Sequence, residues 1–160
     1  MVWFHEATVT DATAQTLLGE YFAERAAGFP SAQGCYRTTQ PVPEQFTRPA
    51  GAFLLVTDDT GEAIGCGGVR RIQRSPSDVI RLEVKHLYLR PTARGSGSGR
   101  LMLAELERVA AELGAGELVL DTNESLEAAG SLYRSSGYRE IEPYNANPNA
   151  THWFGKPVTS

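Results

Sequence analysis

Leu87-Tyr88-Leu89-Arg90-Pro91-Thr92-Ala93-Arg94-Gly95-Ser96-Gly97-Ser98-Gly99-Arg100 runs just past the middle of the chain. It opens as the end of an apolar strand, breaks at Pro91, passes three alternate glycines and enters an amphipathic helix near Ser98. The first-turn N–H groups of a helix lack intrahelical acceptors, and the helix dipole adds partial positive charge there. Glycines at positions 95, 97 and 99 let that backbone approach a bulky anion closely. Arg94 and Arg100 flank the turn with formal charge, and Ser96 and Ser98 lie within it. The segment has the physics of a phosphate cradle.

Two common cradles are excluded. A Walker A loop needs Gly-Lys-Ser/Thr, which the chain lacks, and a Rossmann fingerprint counted from Gly95 and Gly97 meets Arg100 where its third glycine belongs. The strand leading into the loop, Val79 to Leu89, is irregular. Ile80, Leu82 and Val84 are apolar at even positions, whereas Leu87 and Leu89 are apolar at odd ones. Side chains alternate with period two, so the change of parity predicts a β-bulge near Lys85-His86. After the loop, Met102, Leu106, Val109 and Leu113 form one buried helical stripe, with Gly114 or Gly116 as the stop. Glu117 to Asp121 then reads as a buried strand of the parallel type. Strand, helix and strand make a crossover with the glycine loop at its first turn.

Arg94-x-x-Gly97-x-Gly99 fits an Arg/Gln-x-x-Gly-x-Gly/Ala signature. Further on, Ala129-Gly130-Ser131-Leu132-Tyr133-Arg134-Ser135-Ser136-Gly137-Tyr138 fits a small residue, then Leu-Tyr, then Gly-Phe/Tyr at the close of a helix. With both motifs in this order and at this separation, the sequence resembles the GNAT superfamily of acetyl-coenzyme A-dependent N-acetyltransferases. The Tyr144-to-Phe154 tail is similar to that of a group of small bacterial members. The resemblance implies an α/β (α+β) fold, a mixed, strongly twisted sheet of roughly six to seven strands flanked by about four helices. It also implies that the bulge splays two parallel strands and admits a pantetheine arm.

By the same resemblance, Arg94, Gly95, Ser96, Gly97, Ser98, Gly99 and Arg100 hold the coenzyme A pyrophosphate. Leu87, Tyr88 and Leu89 pair with the pantetheine amides and offer N–H groups to an oxyanion. Tyr133 protonates the departing thiolate, and Glu83, directly or through water, takes the proton of the amine. Read from the residues alone, other roles stay open. Tyr133 lies one turn from Ala129 and Gly130, a spacing that also suits a core aromatic. Glu83 would gain a raised pKa among apolar neighbours, or pair with Lys85 or Arg81. His86 could assist or be structural, and Asn123 contacts coenzyme A or caps its helix.

The implied function is transfer of an acetyl group from acetyl-coenzyme A to a primary amine, by direct attack in a ternary complex. The long polar segment Ser31–Pro49 and the Tyr144–Pro148 loop suggest an enclosed site and a small-molecule acceptor. The alternatives are a protein amino terminus or lysine as acceptor, and a coenzyme A-binding sensor without catalysis.

Composition agrees with a globular chain of 160 residues, 41% apolar and 21% charged, read as one domain over residues 1–160. A net charge of −4 argues against nucleic acid as a partner. No apolar run approaches the roughly 20 residues that span a bilayer, so no membrane partner is expected. Cys35 and Cys66 are isolated from each other and from the three histidines, so no metal is expected and a reducing cytoplasm is the expected setting. Whether the chain dimerises is left open by the sequence.

Upstream of the loop, Val2–Val9 reads as a strand and Ala12–Ala27 as a helix started at Thr10-Asp11. Ala52–Thr57 and Glu62–Gln73 read as a hairpin whose Gly65, Gly67 and Gly68 mark close packing. Downstream, Ser125–Ser136 reads as a helix, and Tyr138–Glu142 and His152–Lys156 as strands.

Overall fold

The computed structural model describes residues 1–159. Seven strands form one sheet: β1 (Trp3–Glu6), β2 (Gly51–Thr57), β3 (Ala63–Arg71), β4 (Arg81–Leu89), β5 (Glu117–Thr122), β6 (Arg139–Glu140) and β7 (His152–Pro157). Their order is β1-β2-β3-β4-β5-β7-β6, and among the described residues only the β4–β5 pair is parallel. Three α-helices cover the sheet: α1 (Ala12–Gly28), α2 (Ser98–Glu112) and α3 (Glu127–Ser135).

The expectation of about four helices is therefore corrected to three. The 31–49 segment supplies only two 3-10 turns, Ser31–Gln33 and Pro43–Phe46, because prolines at 41, 43 and 49 interrupt any longer helix. The first strand is also shorter than Val2–Val9: pairing with β2 stops at Glu6, and Asp11 then caps α1 by accepting the Ala14 N–H at 3.1 Å.

Two apolar layers sandwich the sheet. On one face Leu103, Leu106, Val109 and Ala110 of α2 pack on Leu82, Val84, Leu118 and Leu120, joined by Tyr133, Tyr138 and Phe154. On the other, Leu17, Leu18 and Phe22 of α1 pack with Phe46, Phe53, Cys66 and Tyr88. Each fully buried leucine or phenylalanine contributes about 1.5–3 kcal/mol relative to exposure. The glycines of β3 serve this packing: a Cβ at Gly68 would lie 2.7 Å from the Phe46 ring.

The bulge is where parity placed it. Cys66 pairs with Tyr88 and Gly68 with Lys85, so His86 and Leu87 together oppose Gly67. His86 takes the left-handed conformation, φ 58°, an uncommon one for a side-chain-bearing residue. Pairing of β4 with β5 ends at Glu83 and Val119, although β4 continues to Leu89 and β5 to Thr122. The two parallel strands thus part into a wedge, and the backbone of β4 from Val84 to Leu89 has an open edge on that side. No helix among the described residues is long and apolar enough to cross a membrane.

Candidate active site

The wedge opens into a cavity of about 770 Å³. Its walls come from β4 (Val84 to Leu89), β5 (Leu120, Asp121), α1 (Tyr21, Phe22, Arg25), α3 (Leu132, Tyr133) and the loops after Ser31 and Tyr144. At one end lies the start of α2. Gly97 is its N-cap, in the left-handed conformation at φ 86°, and no side chain caps the helix. Gly95 is also left-handed at φ 83°, and the space a Cβ would take at either glycine is open. The N–H groups of residues 95–100 find no acceptor among the described residues. Gly99 has a different task, since a Cβ there would come within 3.3 Å of a Leu132 methyl and crowd the contact of α2 with α3.

The polar side chains of the loop divide in two. Ser96 donates to the Ala93 carbonyl at 3.1 Å and meets Ser98 at 3.0 Å, which shapes the turn. Arg94 lines the cavity, held by the Leu89 carbonyl (2.9 Å) and the Glu24 carboxylate (2.7 Å). Arg100 instead turns to the end of α3, donating to Ser135 Oγ at 2.8 Å. It ties two helices together and does not line the cavity.

Tyr133 is 7% exposed and lines the cavity, and its hydroxyl has no hydrogen-bond partner among the described residues. Burial pushes its phenol up to about 12; the charge of Asp121 raises it further, and Arg25 acts in the opposite sense. It therefore keeps its proton throughout the physiological range and can donate to an electron-rich atom in the wedge.

Glu83 occupies a different position from the one its role required. Its side chain is 1% exposed, outside the cavity wall. It accepts from Arg70 Nε at 3.0 Å and from the Tyr144 hydroxyl at 2.6 Å, with Lys85 Nζ at 3.5 Å. Of the two surroundings foreseen for it, the ion pair with Lys85 is the one present, joined by Arg70 (and not Arg81) and the Tyr144 phenol. Three carboxylates do line the cavity, Glu24, Glu127 and Asp121, and of these Asp121 lies on β5, 3.2 Å from Lys85 Nζ. Its Oδ2 also accepts from Asn145 at 2.8 Å and Asn147 at 3.1 Å. Burial works against ionisation of Asp121, but Lys85 and the two amides outweigh it and hold the carboxyl below its usual range.

His86 lines the cavity among the rings of Tyr21, Phe22 and Phe46. Burial, aided by the charges of Lys85 and Arg70, lowers its pKa to about 3, so the ring is neutral. Cys66 is buried, and its thiol is pushed up to about 12 by that burial, so it is no nucleophile. Asn123 is likewise off the cavity wall. Its amide donates to Gln33 (2.6 Å) and the Asn149 carbonyl (3.0 Å) and accepts from Ser125 N–H (3.0 Å). It shapes the entry to α3 and latches two loops; its groups have none left for a cofactor.

The structure thus joins Tyr133, Leu87, Tyr88, Leu89, Arg94 and Gly99 along one cavity, sets Gly95, Ser96, Gly97 and Ser98 beside its mouth without lining it, and leaves Glu83, Arg100 and Asn123 outside it. A model of the acetyltransferase (GNAT) family matches residues 18–138. The chain belongs to the GNAT family.

Relatives of this GNAT domain agree. An uncharacterized N-acetyltransferase of Schizosaccharomyces pombe is 37% identical over 100 residues, 62% of this chain and 59% of that protein. An IAA acetyltransferase of Azospirillum brasilense is 31% identical over 91 residues, 57% of each. The matched stretches thus span less than two thirds of these relatives' own lengths. Among solved structures, a candidate acyl-CoA N-acyltransferase from Klebsiella pneumoniae superposes with a TM-score of 0.75 at 26% identity, covering 99% of this chain and 98% of the other. The residues of this GNAT chain fit an acyl-coenzyme A: an uncapped helix start for the diphosphate, then an open strand edge for a pantetheine arm.

Residues that the motifs did not reveal are Arg25, Lys85, Asp121, Asn145 and Asn147. One signal was present for Arg25: with Leu18 and Phe22 it falls at i, i+4, i+7, on the buried stripe of α1.

Proposed function

We propose that this chain moves an acetyl group from acetyl-coenzyme A to a primary amine of a small molecule, by direct attack within a ternary complex. The observation that carries the reading is the continuity of three features. The uncapped α2 start, the open edge of β4 and the free hydroxyl of Tyr133 share one cavity. When bound, acetyl-coenzyme A would supply the activated thioester, with its diphosphate at residues 95–99 and Arg94. N–H groups of the freed β4 edge, among Leu87, Tyr88 and Leu89, hold the thioester oxygen as it gains negative charge. Tyr133 donates its proton to the sulfur as the carbon–sulfur bond breaks.

Deprotonation of the amine follows from the local field. Lys85 and Arg70, which help keep His86 neutral, oppose a further cation beside them, so the amine reacts in its neutral form and its proton passes to solvent. Glu83 contributes by anchoring those cations. A small acceptor is favoured over a protein because two loops close the cavity: Asn149 accepts from Arg37 N–H at 2.9 Å and donates to the Arg37 carbonyl at 2.7 Å.

The reading is tested by supplying acetyl-coenzyme A and a panel of amines while following thiol release. Amine-dependent release is expected. Tight acetyl-coenzyme A binding without release for any amine would replace the transferase with a sensor.

A further inference from the structure

Arg25 sits on α1 in the second apolar layer and is only 8% exposed. Its Nη1 is fully buried and has no hydrogen-bond partner. Among the described residues, no carboxylate lies within ion-pairing distance of the guanidinium. What it has is the face of Tyr36, 5.1 Å from its central carbon, the Tyr21 phenol, and the cavity, whose wall it helps to form. Other basic side chains of that wall are paired: Arg70 with Glu83, Lys85 with Asp121, and the exposed Arg94 with Glu24.

A desolvated guanidinium with an unmade hydrogen bond is unfavourable unless something completes it, and a carboxylate matches its planar fork of donors. A cation–π contact returns about 0.5–2 kcal/mol, less than a buried charge needs. The missing anion does not come from the donor as placed above. The pantetheine arm is uncharged, the diphosphate belongs to the turn at residues 95–99, and the ribose 3′-phosphate lies beyond the diphosphate, on the side away from the thioester. It comes from the acceptor.

Resting on the transferase reading above, we infer that the acceptor amine is an amino acid or a close analogue, with its carboxylate bound by Arg25 and its amino group presented to the thioester beside Tyr133. Tyr36 covers the guanidinium from the 31–49 segment, and exposed Arg37 stands at the rim, where it draws anions inward. No step is added to the chemistry: nitrogen bonds to the acetyl carbon, sulfur leaves with a proton, and the carboxylate only positions.

The test uses the full chain, acetyl-coenzyme A, the twenty common L-amino acids, their carboxamides, and plain amines such as tyramine and spermidine. At least one amino acid should exceed its own carboxamide by 30-fold or more in kcat/KM. Arg25→Met should abolish that preference by raising KM with kcat little changed, and Arg25→Lys should restore part of it. Arg25→Met loses the Tyr36 contact but also relieves a buried charge with an unmade hydrogen bond, so its melting point should stay close to the parent's, which separates lost binding from lost folding. Carboxamides or plain amines used as well as the acids would overturn the inference and leave the transferase standing. Acetyl-coenzyme A binding with no release for any compound would overturn both.

Discussion

The Tyr144 hydroxyl donates to the Glu83 carboxylate at 2.6 Å, across 61 positions of sequence. That bond, with Arg70 on the other oxygen, makes Glu83 the centre of a buried network and not a group facing the acceptor. Glu83→Gln should therefore act first on stability. Arg70 and Lys85 keep partial solvent access, so the loss should be about 1–3 kcal/mol, below that of a fully buried pair. Thermal unfolding measures this, and kcat/KM against pH tests the role. Its shape should be unchanged, and loss of an acid limb in the variant would return the base to Glu83.

Tyr133→Phe should lower kcat by about ten- to a thousand-fold, the usual effect of removing a general acid. Acetyl-coenzyme A affinity should be unchanged. Stability should stay within about 0.5 kcal/mol, because no hydrogen bond within the protein is lost. Undiminished turnover at saturating donor would remove Tyr133 from the chemistry.

His86 should make the fold acid-sensitive. Its folded pKa, about 3, lies below the ordinary 6.5, so between those values the unfolded chain binds the extra proton. The stability this gives is present above pH 6.5 and is lost as pH falls toward 3, with a slope of up to about 1.4 kcal/mol per pH unit. Denaturant titrations of the parent and of His86→Gln across this window should differ in slope by up to one proton. Identical slopes would mean that the ring is solvated.

How much of this was legible along the chain depended on the range of the interaction. The bulge at His86 followed from parity within one strand, and the cradle from glycines within one turn; both are local patterns. Tyr133 was reached through a motif within one helix. The partners of Glu83 lie on β3 and in the loop after β6, and those of Asp121 in the same loop. No spacing rule reports such distant contacts, so for Glu83 only the neighbouring Lys85 was within reach of the reading, and the Asn145 and Asn147 clamp read as loop composition. Arg100 and Asn123 sit where a ligand contact was expected, but short reaches to Ser135 and to Gln33 claim them first.

The central claim is that a diphosphate rests on the free amides where α2 begins. Its most direct test is isothermal titration of acetyl-coenzyme A into the parent, Gly97→Ala and Gly97→Glu. Both variants force a Cβ into φ 86°, at about 1–2 kcal/mol of strain, so they share any effect on folding. Only glutamate adds negative charge beside the amides. The account predicts one site in the parent, affinity kept within about tenfold in Gly97→Ala, and loss of a hundredfold or more in Gly97→Glu, about 2.7 kcal/mol. Equal affinity in Gly97→Glu and Gly97→Ala would contradict it.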